Sequence, residues 1–489
     1  AEKLPLARGD AERLAELRSA LEQGRLASEL TLPAPSPDAR PPAVDASRAV
    51  GVLGVALPLS GDWAAFGEEA LQGILLAAGL PASAGSDGAA PSGVVLRVRD
   101  TAGLPARAAL AAAELAGDPE VSALLGPLLA DAALAAGDVA ERTGLPLLAL
   151  TRSEEVSRGR RYVMKLGASR RLQAELLAEY AVGTLGLGRF AILYPDDAYG
   201  RRLRAAFWKA VERRGGRVVG VSGYAPDATD FAGPIRRLVG YELLSAGERA
   251  ALAERERMRK RAKRLPPEQA AELRAEARAL TAPDGSALPP FVDFEAVFVP
   301  DGHENAALLA SHLAFHDVRG VRLLGLSGLQ HPDLIAIGGE HVEGAVFTAD
   351  FDPDARAPHR AAFARRYRET FGRDPGFLAA QAYDATQLAL HQLQMGRRER
   401  EAFLQGLRGI ESWPGVSGVI AIGADGRVAK RPLLLGVERG VFVSVDERGE
   451  PPRLPAPPAP DEPEPVETDS RAAGRADAAA EGSARRAAP

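Results

Sequence analysis

The fold is decided by the stretch VGVLGVALPLSGDWAAFG, residues 50–67. Residues 50–57 are an unbroken apolar run, which is typical of a strand buried on both faces of a parallel sheet. Turn residues end the run, and among them Ser60 and Asp62 are good helix N-caps. We therefore expect a helix to begin here, with its unpaired N–H groups beside the strand end. In open α/β sheets that position is where ligands bind.

Strands and helices alternate along most of the chain that follows. Apolar runs predict strands at residues 94–100, 121–125, 145–150, 190–194, 218–221, 296–299, 321–326 and 345–349, with helical patterns between them. Because this alternation forces parallel pairing, we predict an α/β protein with two doubly wound lobes. The first lobe covers about residues 49–155 and the second about 160–350. The pattern alone does not place the helices at 358–371, 378–393 and 401–409, or the short strands near 416–422 and 433–437.

Composition limits the classes of protein that this chain can belong to. It has 489 residues, 46% apolar and 26% charged, as expected for a soluble protein of more than one domain. The net charge of −5 gives no case for nucleic-acid binding. Cysteine is absent, which excludes disulfides, thiolate nucleophiles and cysteine-based metal sites. No apolar run reaches the ~18 residues that a transmembrane helix needs.

The ends of the chain differ in composition from the alternating region. Residues 1–30 contain a leucine-spaced helical segment, either a stub of a preceding helical domain or a frayed leader. Residues 31–48 are a proline-rich linker, and residues 447–489 lack the apolar surface that offsets ordering entropy, so we predict disorder. The chain starts without a signal-peptide core, so any leader has been removed or trimmed. A lipid-attachment cysteine would have to precede Ala1.

A densely charged segment, residues 241–290, interrupts the second lobe. Its composition predicts a helical hairpin over residues 247–264 and 266–280 with few apolar residues to bury. One interpretation is a solvated excursion. The other is a partner-binding arm that carries a basic cluster of Arg255, Arg257, Arg259, Lys260, Arg261, Lys263 and Arg264.

Catalytic motifs are missing from the sequence. His312 and His316 are four residues apart, a spacing that can bind a metal, but no third ligand is evident and a surface helix pair is the better interpretation. We predict no catalytic residue, no metal site and no cofactor. Polar loops at the predicted strand ends remain, and in a two-lobed protein they line the cleft. The candidate cleft residues are Ser60, Asp62, Thr151, Ser153, Asp197, Tyr199, Asp301 and Ser327.

Three stretches carry a family resemblance: residues 50–77, VSALLGPLLADAALAAGDVAERTGLPLLALT (121–151) and FAILYPDDAYGRRLRAAF (190–207). Over about residues 50–445 their order and spacing resemble the type I periplasmic binding proteins, the leucine/isoleucine/valine-binding proteins and their relatives. The resemblance implies two hinged lobes that close on a ligand, outside the cytoplasm. It also implies that residues 358–432 return to the first lobe and that the binding fold covers residues 49–446.

The resemblance transfers only part of the family's amino-acid site. Tyr199 matches the aromatic residue that packs on the ligand, and Thr151 or Ser153 matches a hydroxyl after the fourth strand. The loop after the third strand, residues 127–131, has no hydroxyl for the ligand carboxylate. No acid stands near Ser327 to meet an ammonium group. Both departures count against ordinary amino-acid binding.

Residues 291–325, after the charged insertion, are similar to those of the penicillin-binding protein activators. That subgroup implies a non-enzymatic, periplasmic regulator of peptidoglycan synthesis that works through contacts with a peptidoglycan synthase. The alternative is a solute-binding protein that delivers a branched-chain amino acid or similar small molecule to an ABC-transporter permease. The sequence leaves both hypotheses open and places the activator first.

Overall fold

The structure, a computed structural model, describes residues 50–80 and 93–445 together with Arg40 and Pro42. The chain divides into two compact units, one formed by the residues up to Tyr241 and from Val292 onward, the other by Glu242–Phe291. The predicted helical stub (1–30) and C-terminal tail (447–489) lie outside the described residues, as does nearly all of the linker (31–48). None of the described helices is long and apolar enough to cross a membrane.

The strands and helices of the described residues follow the alternating order expected from the sequence. The strands are β1 (Gly51–Leu57), β2 (Val94–Asp100), β3 (Val121–Leu125), β4 (Leu147–Ala149), β5 (Val163–Lys165), β6 (Arg189–Pro195), β7 (Arg217–Tyr224), β8 (Ala296–Val299), β9 (Arg322–Gly325), β10 (Val346–Ala349), β11 (Trp413–Gly415), β12 (Gly418–Ile422), β13 (Val428–Arg431), β14 (Leu433–Glu438) and β15 (Val441–Ser444). The helices are α1 (Ala64–Ala78), α2 (Pro105–Gly117), α3 (Ala130–Thr143), α4 (Arg170–Glu179), α5 (Ala198–Arg213), α6 (Ala232–Leu238), α7 (Ala246–Ala262), α8 (Pro267–Ala279), α9 (His303–Phe315), α10 (Pro332–Gly338), α11 (Pro358–Phe371), α12 (Phe377–Gln394) and α13 (Arg400–Arg408).

The first sheet is parallel, in the order β2-β1-β3-β4-β5. In β1, Leu53 and Val55 belong to the apolar core on one face and Val52 and Ala56 to the core on the other. The decisive strand is therefore buried on both faces, as its sequence predicts. Helix α1 packs closely on α12, because a Cβ on Gly73 would lie 2.1 Å from a backbone oxygen of α12.

The first sheet extends further along the chain than the sequence analysis expected. The sequence predicts an end of the first lobe near residue 155 and no strand at β5. The structure pairs β5 with β4 in parallel, so the chain leaves this sheet only after Lys165. The short strand was missed because its three residues, VMK, end in a charge and give no apolar period.

The second sheet has the order β15-β14-β10-β9-β8-β6-β7. Its strands pair in parallel except for β14 and β15, which join antiparallel at one edge. Phe207 of α5 stacks on Phe298 of β8 with ring centroids 4.0 Å apart. The sequence predicted a strand near 433–437 but left it unplaced, and β13 and β15 were not predicted.

The chain crosses between the two sheets more than once. It passes from β5 to α4, and returns after β10 to α11, which joins an apolar cluster with α1 and α12 through Phe363 and Leu76. Strands β11 to β13 form a separate antiparallel sheet. The last crossing leads from β13 directly into β14. Together the sheets and crossings match the two-lobed architecture expected from the resemblance.

The inserted unit, Glu242–Phe291, contains the two helices predicted for the charged hairpin. A capping box starts α7, in which Ser245 Oγ accepts from the backbone N–H of Glu248 and the Glu248 carboxylate accepts from that of Ser245. Arg255, assigned to a basic surface cluster from the sequence, is instead buried within this unit. Its guanidinium donates to the backbone carbonyls of Leu288 and Pro289.

Candidate ligand-binding cleft

Both parallel sheets present polar loops at the carboxyl ends of their strands. In the first sheet these loops follow β1 and β4, and in the second they follow β6, β8, β9 and β10. Crossovers of this kind place all the strand ends of one sheet at one edge, where open α/β sheets bind ligands. The eight candidate residues are distributed over these loops, and the structure gives each a different environment.

The sequence predicts that Ser60 or Asp62 caps the first helix, but in the structure neither residue caps it. Helix α1 starts later, after Trp63, without a side-chain cap. Ser60 Oγ instead donates to Asp100 Oδ2 (2.5 Å), at the end of β2. Asp62 is exposed and makes no hydrogen bond or ion pair with the residues that the structure describes.

Asp100 holds the loop after β1 in place. Its Oδ1 accepts from the backbone N–H groups of Leu59 (2.8 Å), Ser60 (3.2 Å) and Ala102 (2.8 Å). Burial acts to raise the pKa of the Asp100 carboxyl, but these bonds and that from Ser60 Oγ outweigh it and lower the pKa. The Ser60 hydroxyl therefore has a structural partner already, and Asp62 is the free polar side chain of this loop.

The loop after β4 carries Thr151 and Ser153. Thr151 is buried, and its Oγ1 accepts from the backbone N–H of Ser153 at 3.3 Å. The Thr151 carbonyl accepts from Gly167, on the crossing to α4. A Cβ at Gly167 would lie 2.4 Å from that carbonyl oxygen, so the loop and the crossing are in direct contact. Thr151 thus shapes the loop, whereas Ser153 is half-buried at its outer end.

Arg152, which lies between Thr151 and Ser153, forms an ion pair with a residue of the second lobe. Its Nη2 donates to Asp350 Oδ2 at 2.5 Å, just after β10, and its guanidinium lies 4.6 Å from the ring centroid of Phe377. Burial lowers the pKa of Arg152, and the negative charge of Asp350 opposes that shift. The Arg152 side chain remains 30% exposed while that of Asp350 is 9% exposed. Neither residue is among the site candidates predicted from the sequence.

Asp350 also belongs to a polar cluster at the start of α4. Gln173 Nε2 donates to Asp350 Oδ1 at 3.2 Å, and Gln173 Oε1 accepts from Thr348 Oγ1 at 3.2 Å. Ser327, after β9, is linked to the same cluster, because its hydroxyl accepts from Arg170 Nη1 at 2.6 Å. Ser327 thus follows β9 and has a cationic partner that the sequence did not reveal.

The remaining candidates lie after β6 and β8. Asp197 caps α5, its Oδ1 accepting from the backbone N–H of Gly200 at 2.7 Å, and Tyr199 on the first turn is exposed. Asp301 Oδ2 accepts from Tyr224 Oη (2.8 Å) and Asn305 Nδ2 (2.9 Å). Burial, with the nearby Asp301 and Asp197 charges, raises the pKa of the Tyr224 phenol. Tyr224 therefore stays protonated and donates to Asp301.

The structure thus connects some of the candidates and not others. The charges of Asp197 and Asp301 both raise the pKa of Tyr224. Ser60, by contrast, is engaged within its own lobe. The one sequence signal that could have identified Arg152 is a charged residue between Thr151 and Ser153 at the end of an apolar strand. Nothing local could have identified Asp350 as its partner.

Chemically, the cleft combines a cation and an anion that approach from opposite lobes. A guanidinium on one side and carboxylates on the other can hold a carboxylate and an ammonium group respectively. Phe377 adds an aromatic face beside Arg152. The arrangement is suited to binding a small polar molecule.

Comparison with known proteins assigns the family. Residues 52–242 and 292–437, more than half of the chain, match the family described as periplasmic binding protein, and the gap falls on the insertion. The chain is 25% identical over 299 residues to Leu/Ile/Val-binding protein homolog 3 of Brucella melitensis, covering 60% of this chain and 66% of that protein. It is 28% identical over 188 residues to Leu/Ile/Val-binding protein BraC3 of Rhizobium johnstonii, covering 38% and 50%. The chain thus spans less than two thirds of these relatives' length.

Solved structures show the same fold. A putative branched-chain amino acid ABC transporter protein from Rhodospirillum rubrum has a TM-score of 0.63 at 21% identity, covering 81% of this chain and 99% of that one. The substrate-binding protein LivJ from Streptococcus pneumoniae, in complex with isoleucine, has a TM-score of 0.51 at 19% identity (80% and 97%). A solute-binding protein from R. palustris, in complex with 4-hydroxybenzoate, has a TM-score of 0.53 at 17% identity (81% and 95%).

The strand order, the crossings between two parallel sheets and the family match agree with one another. The similar proteins are named as amino-acid- or solute-binding proteins, and they support the second of the two functional hypotheses, the transporter type, better than the penicillin-binding protein activator. The chain belongs to the periplasmic binding protein family, with a type I fold like that of the leucine/isoleucine/valine-binding proteins.

Proposed function

We propose that this chain is a non-enzymatic, extracytoplasmic solute-binding protein of the branched-chain amino acid ABC-transporter type. It binds a small molecule that carries a carboxylate and passes it to a membrane permease. The observation that carries this proposal is Arg152, which lies between Asp350 and Phe377 at the end of a first-lobe strand and keeps part of its side chain exposed. The names of its relatives supply the class of solute.

Arg152 provides the carboxylate donor that the loop after β3 lacks. That loop offers leucine and alanine side chains where amino-acid binders of the family have hydroxyls. A guanidinium offers charge-assisted, bidentate hydrogen bonds to a carboxylate, which are stronger than those from a hydroxyl. The missing hydroxyls therefore do not rule out a carboxylate ligand.

The acid that would bind an ammonium group also lies at a different position from the one that the family resemblance implies. No acid stands beside Ser327, but Asp350 lies within 2.5 Å of Arg152. In the described structure the two side chains neutralise each other across the lobes. A bound amino acid has the same two charges, so its carboxylate and ammonium can take the places of Asp350 and Arg152 in this pair.

Titration of the full chain with branched-chain amino acids, aromatic amino acids and 4-hydroxybenzoate tests the proposal by calorimetry and thermal unfolding. A solute at about 100-fold over its Kd should add about 2.7 kcal/mol to the free energy of unfolding. Arg152→Ala should weaken binding by about 10- to 100-fold, as expected for the loss of a hydrogen bond to a charged group.

Arg158→Ala is the matched control, because Arg158 is an exposed arginine close by in the same connection. It should bind the solute as the unaltered chain does. Equal affinity in the Arg152 and Arg158 variants would remove Arg152 from the site. If none of these carboxylates shifts the unfolding transition, the transporter proposal fails.

The charged insertion favours a second candidate, a regulator of peptidoglycan synthesis that acts through protein contacts. Residues 242–291 form a compact unit of their own, and the family match skips residues 243–291. Replacing this unit with a short Gly/Ser linker tests the candidate. The transporter function predicts unchanged solute affinity, and the regulator function predicts that capture of a peptidoglycan synthase is lost.

A further inference from the structure

Two histidines and an aspartate meet at the cleft edge of the second sheet, outside the Arg152 site. His303 is the first residue of α9, after β8, and His331 immediately precedes α10, after β9. Asp333 is the second residue of α10. One ligand atom from each of these three side chains lies within 4.8 Å of those of the other two. From this geometry we propose that His303, His331 and Asp333 form a binding site for one divalent transition-metal ion, of the zinc class.

The backbone that carries the two histidines is fixed by hydrogen bonds. The Asp301 carboxylate accepts from the N–H of Gly302, which fixes the turn before His303. His331 is fixed in the same way, because its own N–H donates to Leu329 and its carbonyl accepts from Leu334. Leu329 and Leu334 are fully buried. Ligands that lie at the ends of rigid helices keep their positions better than ligands on loops.

The ligand set indicates which ions would bind. Two imidazoles with one carboxylate is a combination that zinc uses where a coordination position stays open, and copper and nickel also favour imidazole. Calcium and magnesium prefer oxygen ligands and are disfavoured here. A further carboxylate, that of Glu304, lies 4.0 Å from His303 Nε2.

The histidine rings must turn before they can hold an ion. They are stacked with centroids 4.0 Å apart and an interplanar angle of 20°, whereas an imidazole binds a metal in the plane of its ring. His331 Nδ1 accepts from the backbone N–H of Asp333 at 3.2 Å, so its Nε2 is the nitrogen free to coordinate. The side chains of His331 and Asp333 are about half exposed, which leaves them room to rotate.

This site was not predicted from the sequence. The histidine pair with metal-ligand spacing in the sequence is His312 and His316, four residues apart on α9, and the sequence predicted no metal site. The structure leaves that pair apart from the new one: the His312 ring packs against Phe231, and His316 Nε2 is buried. Within the described residues the cluster of His303, His331 and Asp333 is the group with metal-ligand geometry. It joins segments that follow two different strands.

Zinc and cobalt titrations of the full chain, prepared without a histidine tag and treated with chelator, test the proposal. We expect one equivalent of zinc per chain by calorimetry, and a visible absorption band when cobalt replaces zinc. His303→Asn, His331→Asn and Asp333→Asn should each weaken zinc binding by about tenfold or more. Thermal unfolding without metal should be unchanged in the His331 and Asp333 variants, because these two side chains are about half exposed.

His341→Asn is the matched control, since His341 is an exposed histidine of the same lobe, and it should bind zinc as the unaltered chain does. Three results would overturn the proposal: no zinc binding below millimolar concentration, zinc affinity in the His303 and His331 variants equal to that of the unaltered chain, or loss of binding in His312→Asn instead. The readout is zinc itself, so failure of this site is distinguishable from failure of solute binding.

Discussion

Charged side chains occur in two contrasting settings in this protein. In the binding fold, Asp384 of α12 accepts from the backbone N–H groups of Val416 and Ser417 (2.8 Å each) and from Ser417 Oγ (2.5 Å). Lys430 Nζ donates to the same hydroxyl at 2.8 Å. Asp384 and Lys430 are 2% and 3% exposed, and burial raises the pKa of the first and lowers that of the second.

The inserted unit is densely charged, but most of its charged side chains are exposed. Arg257 and Glu254 form a 3.1 Å ion pair with side chains 70% and 52% exposed. Exposed pairs of this kind contribute about 0–1 kcal/mol to stability. Removing one partner of a buried pair costs about 3–5 kcal/mol, because the other charge is left without compensation. Burial, and not the number of charges, should therefore decide which substitutions matter.

The largest effect is expected for Asp384→Asn. This change keeps the size of the side chain but removes the nearer of the two carboxylates that act on the buried Lys430, leaving Asp350, and its amide group faces two backbone donors. We expect a loss of about 3–5 kcal/mol in the free energy of unfolding, measured by urea denaturation. Asp425→Asn, at an exposed aspartate next to the same small sheet, is the control and should change stability little. Equal effects of the two substitutions would break the comparison.

The next effect concerns Lys165, which is 8% exposed and whose pKa is lowered by burial to about 8. Between about pH 8 and the usual lysine value near 10.5, the unfolded chain binds more protons at this site than the folded chain. The free energy of unfolding therefore gains up to about 3 kcal/mol from this group as pH rises through that window. Below pH 8 the full penalty of the buried charge is present.

Lys165→Met removes this contribution. Urea denaturation of both proteins at pH 7, 8.5 and 10 should show the stability of the unaltered chain rising relative to that of the variant. If the free energies of unfolding of the two proteins change with pH in parallel, Lys165 keeps its proton in the folded chain and behaves as an exposed lysine does.

A smaller effect is expected at Asp301, which is half-buried. Asp301→Ala leaves the buried Tyr224 hydroxyl without its acceptor, which should cost about 1–3 kcal/mol. Tyr224→Phe removes the donor as well, so the double variant should lose less than the sum of the two single variants. Simple additivity in thermal unfolding would show that the Tyr224–Asp301 hydrogen bond contributes nothing.

The smallest effect is expected for Glu254→Gln in the insertion. Its ion pair with Arg257 is exposed, so we expect the free energy of unfolding to fall by no more than about 0.5 kcal/mol. The shift of the thermal unfolding midpoint should be correspondingly small. A destabilisation as large as that of Asp384→Asn would mean that exposed and buried charges carry equal weight here.

The sequence predicted the features that depend on neighbouring residues and missed those that depend on contacts between distant residues. Strands such as β2, β3 and β8 were predicted with the bounds that the structure has, because apolar runs ended by turn residues are a local signal. The missed strand β5 has three residues and ends in Lys165. Its place in the sheet depends on pairing with β4, which the sequence does not display.

The candidate site shows the same limit. The strand-end loops were identified correctly as polar loops, but Ser60 was assigned to a helix cap. Its partner, Asp100, lies at the end of a neighbouring strand. Arg152 and Asp350 are separated by 198 positions and meet only because the two lobes face each other. His303 and His331 likewise meet because β8 and β9 are adjacent in the second sheet.

The sequence by itself determined the class of fold, the alternation of its longer strands and helices, and the charged insertion. These follow from the period of apolar residues, which depends only on neighbours along the chain. Only the tertiary structure decided which charges are buried, which lobe each crossing leads to, and which side chains meet in the cleft. Those properties depend on residues distant in sequence, because the carboxyl ends of separate strands come together at one edge of a sheet.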